Sequence, residues 1–598
     1  MRLNISNIIS GLALLLLTPI CLSSCSDLLD RPPKTSVNDD ATTWSDENLI
    51  RNYVNDLIPK FFIGYDDTDM HTGDFSDDAV YMGRQGNFRR SVPSSSIWNM
   101  KTLRSINLLS DRLDTYAKGK LTDEAYNHWM GVARFLRAYD YALLTRQWGD
   151  VPYYDHLVGD SELDELYKER TPRNEVMDHV YDDLKFALES VRLSDGDQQI
   201  NRYWVAGVAA QIALTEGSWQ KYYYKDQERA KKFFTFAQEA CEMIISSGKY
   251  RIDGDYKSLY TSESLAGNQE CIIYRVYDLT TNVGHMLAHY SNTANSIAMG
   301  GTTDLLKSYI CVDGKVRSES DTNGADSYRL SEMIKTTDSR FEATFYDQPT
   351  PMSKGSYLFP NKFFPRRLEG VNPLPPEYQG AKNTTDAPIL RYAEILLIDI
   401  ESKAELATMG GSPVTQEDLD RTINTIRKRP LAKEAVAKGV QQTAPIQLAA
   451  LPNDPDRDPS VSPLLWEIRR ERRMEFAFDG MRFGDLKRWG KLEYMDTSKN
   501  ADLLSGSWVD FQSDNVTLDS KNIGVTAVVA EDGTMIVYNG KNKAALKGFF
   551  HETSTEGRQP FLGLVNVNPY LTPVGKNQMD DYKSKGYVLK QTEGWPQQ

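Results

Sequence analysis

The chain has 598 residues, of which 40% are hydrophobic and 25% charged, a composition typical of a folded protein and unlike that of a disordered one. Its 69 basic and 83 acidic residues leave a net charge of -14, which disfavours a general nucleic-acid binder because such proteins carry a basic face. Only 7 His and 5 Cys are present, against 32 Tyr, 21 Phe and 10 Trp, so the composition favours a surface of stacking and hydrogen-bonding groups over a metal centre.

The first 24 residues have the pattern of a bacterial lipoprotein signal peptide. Arg2 is their only charged residue, and the apolar stretch 8–22 is shorter than the roughly 20 residues that span a bilayer. It ends in the sequence LSSC at residues 22–25, which resembles a lipobox, so we expect Cys25 to be lipidated. A plain secretory signal is the alternative. Residues 25–44 include an Arg-Pro-Pro run that predicts an extended tether.

The segments 98–250 and 386–490 show the 3.6-residue apolar period of amphipathic helices. Thr122 and Thr415 stand where helices should begin, and Gly149 stands where one should end. Small residues recur on the apolar stripes, so the paired helices resemble tetratricopeptide units without the strict 34-residue period. The sequence therefore predicts a mostly α-helical fold with irregular tetratricopeptide-like helix pairs.

Two loop-rich segments, 60–97 and 251–385, interrupt this pattern, with short β-like runs such as 271–277. Loops held on a rigid scaffold commonly form binding surfaces, so we expect the ligand-binding region to lie here. The acidic residues between 66 and 78 depart from an EF-hand calcium loop, because Thr72 stands where the loop requires Gly. They predict a solvated acidic segment, with a calcium site of another kind as the alternative.

Motifs for nucleotide binding and for metal or serine hydrolysis are missing from the sequence. His285 and His289 are four residues apart without the adjacent Glu of a zinc-protease helix, which indicates two surface histidines. We therefore expect neither a metal nor a cofactor. Cys241 lies on a helical apolar stripe, which predicts a buried thiol. The sequence does not decide whether two of the three cysteines Cys241, Cys271 and Cys311 form a disulfide.

The densest charge cluster occupies residues 467–489. On a helix, Glu467 would meet Arg470 and Arg472 would meet Glu475, each pair three residues apart on the surface. The glutamates at 467, 471 and 475 also form a like-charged row that needs cations from neighbouring helices. The pattern predicts an inter-helix ion-pair network with a structural role.

Several of these segments together resemble the SusD/RagB family of outer-membrane lipoproteins from Bacteroidetes. The resemblance extends over nearly the whole length, with mild departures such as TE at 592–593 where NP is usual. It is carried chiefly by CSDLLD at 25–30, ARFLRAY at 133–139, WGDVP at 148–152, the cluster at 468–489 and QTEGW at 591–595.

The resemblance implies a single SusD-like fold over residues 45–598, anchored at the cell surface in the outer membrane. It implies a lipoprotein that captures an oligosaccharide or polysaccharide and acts as the lid of a SusC-like TonB-dependent outer-membrane transporter. Most members are not enzymes, so we expect no catalytic residues. A surface glycoside hydrolase and a peptide-binding helical-repeat lipoprotein are the alternatives.

Sugars pack their C–H faces on aromatic rings, and their hydroxyls hydrogen-bond to polar side chains. The two loop-rich segments and their borders supply both kinds of group. The predicted ligand-binding residues are Tyr65, Asp77, Asp78, Tyr81, Arg84, Trp98, Tyr274, Tyr277, Tyr290 and Asn292.

Overall fold

The computed structural model describes residues 41–65, 76–80, 88–292, 300–351, 356–514 and 516–597. The predicted signal peptide at 1–24, Cys25 and most of the tether at 25–44 therefore lie outside the described residues, as do Tyr81 and Arg84. Within the described ranges, no helix has both the length and the apolar character needed to cross a bilayer.

The protein is mostly α-helical, as predicted. The helices of the described residues are Ala41–Trp44 (α1), Glu47–Phe61 (α2), Lys101–Arg112 (α3), Asp123–Trp148 (α4), Leu163–Leu166 (α5), Arg173–Ser190 (α6), Arg202–Trp219 (α7), Gln227–Ile245 (α8), Ser258–Thr261 (α9) and Leu287–Tyr290 (α10). They continue with Thr303–Ser308 (α11), Leu330–Thr336 (α12), Arg340–Thr344 (α13), Tyr392–Ala407 (α14), Gln416–Arg421 (α15), Ile423–Arg427 (α16), Lys433–Ala437 (α17), Pro463–Glu475 (α18), Arg482–Arg488 (α19) and Lys576–Ser584 (α20).

The long helices pack against one another through their apolar side chains, and α7 and α14 are buried on nearly all sides. Thr122 begins α4 by accepting a hydrogen bond from Ala125 N, and Gly149 ends it with a φ of 74° that favours glycine. Helix α4 packs on α6, α7 on α8, and α8 on α14. The predicted helical segments 98–250 and 386–490 thus form one packed scaffold, and its apolar stripes make up the largest hydrophobic core.

The strands of the described residues are Cys271–Arg275 (β1), Ala387–Arg391 (β2), Ser505–Asp510 (β3), Thr526–Val529 (β4), Met535–Val537 (β5) and Lys547–Glu552 (β6). Strand β1 pairs antiparallel with β2 and so ties the predicted β-like run to the start of α14. The other four form an antiparallel sheet in the order β3-β6-β4-β5. The sequence did not predict this second sheet, because its strands are short and carry weak alternation.

The predicted ion-pair network is present between helices, but it is buried. The carboxylates of Glu471 and Glu475 on α18 are fully inaccessible to solvent. They accept hydrogen bonds of 2.6–3.1 Å from four arginines outside α18, namely Arg340, Arg391, Arg427 and Arg429. Buried carboxylates need such partners because an unpaired buried charge is strongly destabilising.

One predicted pair within the cluster is confirmed and one is wrong. Arg470 Nε donates to Glu467 Oε2 at 3.1 Å, as expected for residues three apart. Arg472, however, donates from Nε to Asp485 Oδ2 at 2.8 Å and does not pair with Glu475. The cause is burial, because the carboxylates of Glu475 and Asp485 both lie inside the protein. There the packing of α18 against α19 decides which carboxylate Arg472 binds, and the spacing along one helix does not.

Candidate functional site

The two predicted ligand-binding segments meet just after α2. The chain leaves Phe61 and turns at Gly64, whose φ is 73°. A Cβ at Gly64 would lie 2.7 Å from both Arg275 Cδ and Tyr277 Oη, so the backbone here passes directly over the end of β1. The Arg275 guanidinium donates to the carbonyl oxygen of Ile63. These contacts fix the next residue, Tyr65, beside the central segment.

Four rings pack together at this point, and we call them the Tyr65 cluster: Tyr65, Tyr277, His285 and Phe363. The Tyr65 and Tyr277 ring centres are 6.1 Å apart with an interplanar angle of 21°. His285 and Phe363 lie edge-on to Tyr65, at 4.7 Å and 5.5 Å. Tyr277 Oη donates to the Tyr65 carbonyl oxygen at 3.0 Å. Tyr65 is half-buried while Tyr277 is buried, and the hydroxyl oxygen of Tyr65 points into the protein.

Two cations border the Tyr65 cluster, since Lys362 Nζ lies 6.0 Å from the centre of the Phe363 ring and an arginine lies beside Tyr277. The Arg275 guanidinium lies 5.3 Å from the Tyr277 ring centre, within cation–π range. His285 is buried, and burial lowers its pKa to about 4, so it is neutral at pH 7. Its Nε2 lies 3.0 Å from the Thr385 carbonyl oxygen. The prediction that His285 is a surface histidine was wrong, because the fold places it beneath the two tyrosines.

Tyr274, Tyr290 and Asn292 are near this region, and the two tyrosines face inward. The Tyr274 and Tyr290 rings are buried in the core of the central segment. The Asn292 side-chain amide donates to the Tyr378 carbonyl oxygen at 3.2 Å. Tyr274 and Tyr290 therefore support the fold around the Tyr65 cluster, whereas Asn292 is half-buried and stays a predicted ligand-binding residue.

Asp77 and Asp78 also have a different environment from the one predicted. Both are buried, and two arginines of the C-terminal charge cluster bind them. Arg482 donates to both oxygens of Asp77, and Arg473 Nε donates to Asp78 Oδ1 at 2.7 Å. Burial raises and the two guanidiniums lower the pKa of Asp77, with a net decrease to about 2. The prediction that these carboxylates bind ligand is corrected: they are the anionic side of a buried ion-pair cluster.

Trp98 is a core residue. Its ring packs edge-to-face on Trp148 at 5.8 Å, and the Arg170 guanidinium lies 5.6 Å from its centre. It is 8% exposed and belongs to the core of the helical scaffold, so its prediction as a ligand-binding residue is also corrected. Tyr81 and Arg84 lie outside the described residues and stay predictions.

The tyrosine-rich composition mainly reflects packing. Across the described ranges, every Trp, Tyr and Phe side chain is buried or half-buried. Trp508 on β3 is half-buried, but the Arg329 guanidinium covers its ring at 4.8 Å. The sequence missed Arg275 and Phe363 at the candidate site, although the alternation of Arg275 with Tyr277 along a β-like run is the kind of signal that could have indicated Arg275.

Two family profiles match the chain. The profile of the SusD family matches residues 356–595, and a profile described as starch-binding associating with outer membrane matches residues 87–214. Together they match more than half of the chain. The second profile covers α3 to α6 and most of α7, and the first covers α14 to α20, including the ion-pair cluster of α18 and α19.

Similar proteins point to the same family. A SusD-like protein of Formosa agariphila is 24% identical over 364 residues, which cover 60% of this chain and 64% of the relative, less than two thirds of its length. A SusD-like protein of Bacteroides ovatus is 20% identical over 535 residues, covering 85% of this chain and 87% of the relative.

The fold is also that of a solved structure, a SusD-like carbohydrate binding protein from Bacteroides fragilis. The two superpose with a TM-score of 0.60 at 18% identity, over 91% of this chain and 99% of that one. With two matching profiles, related sequences and a shared helical fold, the chain belongs to the SusD/RagB family.

Proposed function

We propose that this protein is a cell-surface glycan-binding lipoprotein of the outer membrane. It captures an oligosaccharide, passes it to a SusC-like TonB-dependent transporter and acts as the lid of that transporter. Family membership supports this proposal. A protein of similar fold is described as carbohydrate binding, and a matching family profile is described as starch-binding. The proposed anchor is a lipid on Cys25, which follows the signal-like sequence.

The single observation that carries the proposal is the position of Tyr65. Its half-buried ring is held by Tyr277 and lies where the two predicted ligand-binding segments meet. A tyrosine ring offers a face on which sugar C–H groups pack, and a nearby guanidinium donates to sugar hydroxyls. Tyr65 and Arg275 together supply both kinds of contact, and Tyr81 and Arg84 are further proposed ligand-binding residues.

We propose binding without hydrolysis. A glycosidase needs two carboxyl groups that face the sugar across a cleft. Asp77 and Asp78, the adjacent carboxylates predicted near the site, are instead neutralised by Arg482 and Arg473. Incubating the protein with the glycan it binds tests this point: the amount of reducing ends should stay constant, and an increase would favour the hydrolase alternative.

A glycan array probed with the chain lacking residues 1–25 tests the function itself. We expect binding to one class of oligosaccharide or polysaccharide. Binding to peptides with no glycan binding would favour the peptide-binding alternative. A Cys25→Ser variant tests the anchor, because it should move the protein out of the outer-membrane fraction while leaving glycan binding unchanged.

A further inference from the structure

A cleft of about 550 Å³ lies inside the helical scaffold, between α4, α6, α7, α14, α18 and α19. This volume is within the usual range of small-molecule pockets, roughly 300–1,000 Å³. No member of the Tyr65 cluster lines the cleft. It is therefore a separate feature from the proposed glycan site.

The cleft has more positive than negative charge. Five cationic side chains line it, and three of them are neutralised by carboxylates: Arg173 by Glu216, Arg472 by Asp485 and Arg488 by Glu401. The other two, Arg146 and Lys487, form no hydrogen bond or ion pair with any described residue. Arg146 is at the exposed rim and Lys487 is half-buried.

Two buried polar atoms in the wall of the cleft also lack partners. The side chain of Arg472 is nearly fully buried, and its Nη1 has no acceptor among the described residues. Glu394 Oε2 is likewise buried and receives no hydrogen bond within the described ranges. The two side chains form an ion pair with each other, since Arg472 Nη2 lies 3.8 Å from Glu394 Oε1. Buried polar groups are nearly always fully paired, so the remaining donor and acceptor are positions that a polar ligand in the cleft can fill.

The rest of the lining is suited to a hydroxylated ligand. The amides of Gln147 and Gln211 can exchange hydrogen bonds with hydroxyl groups, and the rings of Tyr139 and Phe483 offer apolar faces. We propose that this cleft binds a small carboxylic acid of the sugar-acid class, with its carboxylate held by Lys487 and Arg146 and its hydroxyls bound by the amide side chains.

The electrostatics of Lys487 agree with this proposal. Burial, together with repulsion from Arg146 and Arg173, lowers the pKa of Lys487 to about 7. A bound carboxylate would favour the protonated amine, so affinity should fall as the pH rises from 6 to 8. The other charged groups lining the cleft are Arg146 of α4, Arg173 of α6, Glu216 of α7, Glu394 of α14, Arg472 of α18, and Asp485 and Arg488 of α19.

Calorimetric titration of the mature chain with glucuronate and with glucose tests the proposal, because the two sugars differ by a carboxylate in place of a hydroxymethyl group. Glucuronate should bind at least about tenfold more tightly, since a charge-assisted contact contributes roughly 1.5–3 kcal/mol. Equal affinity for the two sugars, or no binding of glucuronate, would overturn the proposal.

Substitutions of Arg146 and Lys487 test where the carboxylate of glucuronate binds. Arg146→Gln and Lys487→Met should each weaken glucuronate binding by about tenfold, and Lys487→Met should also remove the pH dependence. Lys185→Met is the matched control, because this half-exposed lysine of α6 does not line the cleft.

Arg146 is exposed, so its substitution leaves the fold intact and keeps the test valid if Lys487→Met does not fold. Unchanged glucuronate binding in Arg146→Gln would contradict the assignment of this cleft as the glucuronate site. Glycan binding at Tyr65 is measured in a separate titration, so failure of one proposal can be distinguished from failure of the other.

Discussion

Arg482 binds Asp77 through two parallel hydrogen bonds, from Nε to Oδ1 at 2.8 Å and from Nη2 to Oδ2 at 2.7 Å. The two residues are 405 positions apart in the sequence. Arg473 adds a 2.7 Å hydrogen bond to Asp78. This pairing attaches the short described segment 76–80, within the loop-rich region, to the α18–α19 part of the scaffold.

Replacing Asp77 by Asn should therefore destabilise the protein. The substitution leaves Arg482, whose side chain is 11% exposed, without its carboxylate, and breaking a buried ion pair costs about 3–5 kcal/mol. Urea denaturation measures the effect. Asp56→Asn is the control, because Asp56 forms an exposed pair with Lys60 and its substitution should change the free energy of unfolding by less than about 1 kcal/mol. Equal midpoints for Asp77→Asn and the wild type would contradict this role.

The ion-pair network also predicts how stability changes with acid. Burial raises, but Arg429, Arg391 and Arg340 lower, the pKa of Glu475, with a net decrease to about 2. A carboxylate whose pKa is lower in the folded state stabilises the protein above its unfolded pKa and loses that contribution as the pH falls. We expect the melting temperature to fall steeply between about pH 4.5 and pH 2.

Glu475→Gln tests the assignment of this acid transition. The variant should be less stable than the wild type at pH 7 and should lose less stability between pH 4.5 and pH 2. Glu434→Gln, at an exposed position on α17, should have the wild-type profile. The same acid dependence in Glu475→Gln as in the wild type would show that other groups cause the transition.

A substitution at Gly64 should disturb both stability and glycan binding. Alanine there must adopt a φ of 73° and place its Cβ 2.7 Å from Arg275 Cδ and Tyr277 Oη. Gly119→Ala is a matched control, because Gly119 has a φ of 75° but no atom within 4 Å of the added Cβ. The control should lose about 1–2 kcal/mol from the left-handed backbone alone. Gly64→Ala should lose more and should bind the glycan more weakly, whereas equal losses would argue against the close packing at Tyr65.

The helical scaffold could be predicted because its signals are local. Helix α4 begins after the cap at Thr122 and ends before Gly149, as the sequence indicated. The site could not be predicted to the same extent, since its contacts join distant segments. Tyr65 meets Tyr277 across 212 positions, and nothing near His285 in the sequence indicates that it is buried beneath both rings.

Local sequence patterns also could not predict which charged side chains are buried. A run of alternating Glu and Arg is usually a solvated helix face, and spacing alone pairs Arg472 with Glu475. In the structure, Arg472 binds Asp485 on the next helix. For the same reason Asp77 and Asp78 could be taken for ligand-binding groups, because their arginine partners lie about 400 positions later in the chain.

The most direct test of the central claim is calorimetric titration of the mature chain with the glycan that the array identifies. Tyr65→Ala should weaken binding by about fivefold to tenfold, because it removes the aromatic face on which a sugar packs, and Tyr65→Phe should keep most of the affinity. Tyr587→Ala, at another half-buried tyrosine, should bind like the wild type. Wild-type affinity in Tyr65→Ala would contradict the proposal that Tyr65 is part of the glycan site.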